Sequence, residues 1–132
     1  MLDDSTRAQI DKALLMAKAL YGKGHMKEAQ HACNLVLRLD PANSAALVRL
    51  GLIARLERRL NEAIGHFVDA LGVDPGNLFA ARHLIASYRE AGQPEKAEQL
   101  LAAWLRRAPK EPELLFEKGR SLLDRGELPA AA

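Results

Sequence analysis

Apolar residues recur along this chain at spacings of three and four, and proline and glycine interrupt them at regular intervals. Such spacing puts one apolar stripe on a helix, because residues three or four apart share a face. The pattern predicts helices over 5–22, 25–38, 43–57, 60–73, 77–91, 94–107 and 111–124, and the start of another from about 127. Pro41, Pro75 and Pro109 stop every second helix, since proline lacks the N–H that the next turn needs. Asn43 and Asn77 follow two of these prolines and suit the N-cap of the next helix. Gly24, Gly92 and Gly126 sit between paired helices, where a helix end needs positive φ. Arg58 occupies that place in the second pair, so its turn is expected to differ. Pro94 and Pro129 fall just after a turn, where a first-turn proline is tolerated.

The interruptions keep time. The prolines at 41, 75 and 109 are 34 residues apart in both intervals. With proline set at position 32, the chain divides into repeats 10–43, 44–77 and 78–111 and a partial 112–132. Position 20 is then Ala29, Ala63, Ala97 and Ala131. Position 8 is Ala17, Gly51, Ile85 and Gly119, small in three of the four. Position 7 is Met16, Leu50, Leu84 and Lys118, and position 24 is Cys33, Phe67 and Leu101. Small residues at 8 and 20 are expected to face each other and let two antiparallel helices approach, while larger residues fill the flanks.

A 34-residue helix–turn–helix period with these positions resembles the tetratricopeptide repeat. The likeness covers 10–132 and is strongest in 44–77, through Leu47, Leu50, Gly51, Ala63, Phe67, Ala70 and Pro75. It departs where the family has Trp at position 4, here Ala13, Leu47, Ala81 and Leu115, and where Ile85 replaces the usual glycine and Trp104 the usual alanine. The resemblance implies an all-α, right-handed α-α superhelix of stacked helix–turn–helix repeats, read here as one domain over 1–132.

In that family the first helix of each repeat lines a concave groove, chiefly through positions 2, 5, 9 and 12. Residue by residue, the resemblance implies a groove of Asp11, Leu14, Lys18 and Tyr21, then Ala45, Val48, Leu52 and Arg55. Phe79, Arg82, Ala86 and Arg89 continue it, followed by Glu113, Phe116, Arg120 and Leu123. Apolar anchors among arginines suit a peptide with apolar side chains and some acidic character. The implied function is a protein–protein interaction scaffold, with a non-catalytic arm of a larger enzyme, such as a transferase, or a self-association module as the alternatives. One subgroup clamps the carboxylate tail of heat-shock chaperones. Its clamp positions fall here on Leu14, Lys18, Arg49, Phe79 and His83, and none matches, so a chaperone tail is not the expected partner.

Composition and charge add limits. A formal net charge of +2 does not by itself imply nucleic acid or membrane. No run of 18 apolar residues is present, and the acidic start, Asp3-Asp4, is unlike a signal peptide, so a cytoplasmic protein is expected. Cys33 is the single cysteine and occupies an apolar slot, which points to a buried inert thiol. His25, His31, His66 and His83 are scattered, whereas a metal site needs three or four convergent ligands. Arg58-Arg59 and Arg106-Arg107 lie near helix ends, where cations complement the dipole. No metal, cofactor, nucleic acid or catalytic residue is expected.

The last repeat is partial. Leu114, Leu115, Leu122 and Leu128 are expected to lack a covering helix, and Trp104 to be partly bared. Either the chain continues in a longer protein, or a second copy closes this edge as a homodimer.

Overall fold

The computed structural model describes residues 2–126. Within them lie seven α-helices and no strand, so the fold is all-α. The helices are α1 (Asp4–Gly22), α2 (Met26–Leu39), α3 (Ser44–Leu56), α4 (Leu60–Val73), α5 (Leu78–Glu90), α6 (Pro94–Arg107) and α7 (Pro112–Asp124). Every observed end falls within one residue of the end that the sequence predicts. The expected eighth helix, with Leu128, Pro129 and Ala131, lies outside the described residues.

The helices group into two compact units, Met1–Asn77 and Leu78–Ala132. In the first, α1 packs on α2, α2 and α1 on α3, and α3 on α4. In the second, α5, α6 and α7 pack on one another.

Two main-chain turns repeat along the chain. Inside each helix pair, the residue after the positive-φ position donates its N–H five residues back: His25 to Leu20, Arg59 to Ala54 and Gln93 to Tyr88, each at 2.8 Å. This closes the orphan carbonyls of the first helix with a left-handed residue as the pivot. Gly24 and Gly92 take φ of 80° and 77°, and Arg58 takes 61°. The expectation of a different turn at Arg58 is therefore corrected. The hydrogen bond is the same, and Arg58 adopts the conformation that glycine adopts elsewhere. Between pairs, Asn43 donates to Asp40, Asn77 to Asp74 and Glu111 to Ala108, a tight turn around each proline. Asn43 also caps α3, its side chain accepting from the Ala46 N–H at 3.0 Å.

The in-phase alanines Ala29, Ala63 and Ala97 are all buried. In the second repeat, a Cβ on Gly51 would lie 2.6 Å from Phe67, so position 8 faces the large residue at position 24. The Phe67 ring is fully buried. At the far edge, Leu114 is fully buried and Trp104 nearly so, with the Arg107 guanidinium 4.6 Å from its ring centre. Those two residues are not bared as expected, and the exposed apolar set there is Leu115, Phe116 and Leu123.

Two stability results follow. Gly51→Ala adds helix propensity worth about 1 kcal/mol but overpacks against Phe67 at about 1–3 kcal/mol, so it destabilises the chain. Gly119→Ala, at the same repeat position with nothing within 4 Å, stabilises it. Urea unfolding of both variants reads the two signs, and equal signs would contradict the packing. In the same assay Arg58→Gly gains about 0.5–1 kcal/mol, the left-handed penalty of arginine less the chain entropy of glycine. A loss there would mean that the Arg58 side chain stabilises more than its backbone costs.

Candidate functional site

The first helices carry the expected groove residues, and each unit presents its own set. In the first unit, α1 and α3 touch and leave a hollow of about 410 Å³ lined by Asp11, Leu14, Leu15, Ala17, Lys18, Ala45 and Arg49. Four of these, Asp11, Leu14, Lys18 and Ala45, are groove positions in the sequence reading. Leu14 is half-buried and Lys18 exposed, so an apolar floor meets a cation at the rim. Tyr21, Val48, Leu52 and Arg55 are half-buried on the same two helices. The Arg49 guanidinium lies 5.1 Å from the Tyr21 ring centre, within cation–π range. Arg49 entered the sequence reading only as a failed clamp residue. Its place directly after the groove residue Val48 was the signal available.

In the second unit, Phe79 and Phe116 are 47% and 59% exposed, which is high for aromatic rings. Each has a basic neighbour one helical turn on. The His83 ring centre is 4.6 Å from that of Phe79, and Arg120 lies 6.0 Å from the Phe116 ring. Arg82 is half-buried and Arg120 exposed.

Two of the expected groove residues behave differently. Ala86 is buried. The Arg89 side chain is only 9% exposed and its Nη2 donates to Glu117 Oε2 at 2.6 Å, with Asp124 Oδ2 3.4 Å from its Nε. Arg89 therefore ties α5 to α7, and its charge is matched inside the unit by a Glu117 that is itself buried. Truncating one member of such a pair strands the other, so the contact fixes how the two helices meet. Of the expected groove cations in this unit, Arg82 and Arg120 remain without a buried carboxylate partner of this kind. A second hollow of about 490 Å³ between α6 and α7, lined by Leu101, Leu105, Leu122 and several charged residues, contains none of the expected groove residues.

Burial raises the Cys33 thiol to about 11, only partly opposed by Arg49. Burial lowers His66, against the pull of Asp69 and Glu62. The Thr6 N–H donates to Asp3 at 2.7 Å and lowers that carboxylate at the start of α1. Arg59 pairs with both Glu57 and Glu62, which raises it and tethers the turn to α4. Among the described residues no three of His, Cys, Asp and Glu converge as metal ligands. No described helix is long and apolar enough to cross a membrane.

Together these features define an all-α helical-repeat protein. Family models described as tetratricopeptide repeat match residues 14–77 and 54–115. The chain belongs to the tetratricopeptide repeat family. Among curated proteins none matches. Solved structures do. An O-GlcNAc transferase of Thermobaculum terrenum is 25% identical with a TM-score of 0.80, over 92% of this chain and 23% of its own. This chain thus spans less than a quarter of that enzyme's length. The second tetratricopeptide domain of the human RPAP3 protein, solved in complex with an HSP70 peptide, is 15% identical with a TM-score of 0.80, over 88% and 97%. MamA is 18% identical with a TM-score of 0.80, over 89% and 69%.

The raised Cys33 predicts an inert thiol. At pH 8 the native chain gives no reaction with an aromatic disulfide reagent on the time scale of minutes, and the urea-unfolded chain reacts stoichiometrically. Rapid labelling of the native chain would contradict the burial.

Proposed function

We propose that this chain is a protein-interaction module that holds a partner segment against the open faces of its first helices. The observation that carries this reading is the α1–α3 hollow, with Leu14, Leu15, Ala17 and Ala45 forming an apolar lining beside Lys18 and Arg49, whose two cations outnumber the one carboxylate there, Asp11. Apolar area supplies affinity there, and the two cations select a segment with a carboxylate near its apolar anchor. In the second unit, Phe79 and Phe116 offer apolar contact flanked by Arg82 and Arg120. That a tetratricopeptide domain of similar fold was solved with a peptide supports the general class of partner. The module acts by binding, and no residue is given a catalytic role.

A second reading has one observation behind it. The likeness to the bacterial transferase spans 92% of this chain and 23% of that one, which fits a non-catalytic arm of a larger enzyme. The reading frame flanking these residues separates the two readings, because only the second requires a transferase domain in it.

A displayed library of random twelve-residue peptides, selected on the full chain, tests the first reading. The selected peptides combine leucine or aromatic residues with Asp or Glu, and Lys18→Glu with Arg49→Glu weakens them about tenfold or more, by about 1.4 kcal/mol per decade. Higher salt weakens them too. Selection of basic peptides, or affinity unmoved by the double variant, would remove the hollow from the binding site.

A further inference from the structure

The hollow between α1 and α3 carries opposite charge at its two ends. Its α1 wall presents Asp11, Leu14, Leu15 and Lys18 in that order. Asp11 and Lys18 are seven residues apart, or two turns, so they share a face and stand about 10 Å apart along the axis. The cation of the α3 wall belongs to the Lys18 end. Arg49 lies 5.1 Å from the ring centre of Tyr21, which is three residues beyond Lys18 and ten beyond Asp11. Cation–π attraction to that ring holds the guanidinium there. The hollow therefore runs from one carboxylate, over Leu14 and Leu15, to two cations.

All three charges are available to a partner. Asp11 and Lys18 are exposed and Arg49 is half-buried. Among the described residues none of the three is in an ion pair. An occupant that offers only carboxylates meets the cations and sets any second acid against Asp11. An occupant with a basic side chain about 10 Å from its acid meets both ends. Volume decides its backbone. Two turns of helix, about 10 Å long and about 10 Å across, fill roughly 800 Å³. The hollow holds about 410 Å³. An extended chain covers the same 10 Å in about three residues and is slim enough to enter.

We propose, with the hollow taken as the binding site, that its occupant is an extended dipolar segment. A Lys or Arg of the partner sits against Asp11, an Asp or Glu sits against Lys18 and Arg49, and the two are about three residues apart with an apolar side chain between them. Acidic content alone does not select the partner. The charge order also sets direction, since a segment with the order reversed along its chain must lie the other way round.

The displayed twelve-residue library, selected in parallel on the native full chain and on Asp11→Lys, tests this. On the native chain, Lys or Arg is enriched three residues from Asp or Glu across an apolar residue. On Asp11→Lys that enrichment disappears and a second acid takes its place. A selected peptide is then titrated beside two synthetic versions in which its basic residue is Gln or Glu. The native chain binds the basic version about threefold or more tighter than the Glu version, Asp11→Asn levels the series, and Lys18→Glu with Arg49→Glu weakens every member. Circular dichroism is unchanged in each variant. Peptides that depend on Lys18 and Arg49 but show no basic enrichment, or a series that keeps its order in Asp11→Asn, overturn the dipolar occupant and leave the binding hollow standing. Enrichment at a spacing of seven residues instead of three overturns the extended form. Peptides unmoved by the Lys18 and Arg49 changes overturn the hollow and this inference together.

Discussion

Everything else in this chain depends on how closely two antiparallel helices can lie, and side-chain volume at one crossing sets that distance. At Gly51 a single added carbon would sit 2.6 Å from the enclosed ring of Phe67. The helices are together because one of them has no side chain there. Phe67 fills the space and excludes water from the crossing, and Ala63 at the alanine phase is buried without adding bulk. The corresponding pairs elsewhere, Ala17 with Cys33 and Ile85 with Leu101, are also buried, so the positions are kept while their volumes vary. Interiors packed to crystal-like density make such volumes decisive.

Main-chain turns hold these crossings in register. The hydrogen bond reaching five residues back at the end of α1, α3 and α5 has one length and one pivot conformation, whether the pivot is Gly24, Arg58 or Gly92. Because the turn and the crossing recur together, each first helix has one side against its partner and another turned outward. The outward side carries the α1–α3 hollow in the first unit and the exposed rings of Phe79 and Phe116 in the second.

Much of this was legible in the sequence because it is local. Proline at 41, 75 and 109 and glycine at 24, 92 and 126 act on their own backbone, and helix ends follow from them within a residue. The turn at Arg58 was misread because composition does not show that surrounding packing can hold a non-glycine residue at positive φ. The contact of Gly51 with Phe67 was not read from the sequence, because phase gives a residue's face but not which side chain lies nearest across from it. Arg89 was expected as a cation for a partner. Its true neighbour, Glu117, is 28 positions away, and only the way α7 meets α5 brings the two together. The groove positions of α1 and α3 were readable from the period, while the contribution of Arg49 needed the geometry of the hollow itself.

A double-mutant cycle at the tightest crossing tests the central claim most directly. Phe67→Leu and Gly51→Ala are measured by urea unfolding, singly and together. If the two positions share one volume, Phe67→Leu costs less in the Gly51→Ala background than in the native one, with a coupling of about 1 kcal/mol or more. Strictly additive losses would contradict the account, since they would mean that the Phe67 ring and the bare Gly51 backbone do not set each other's limits.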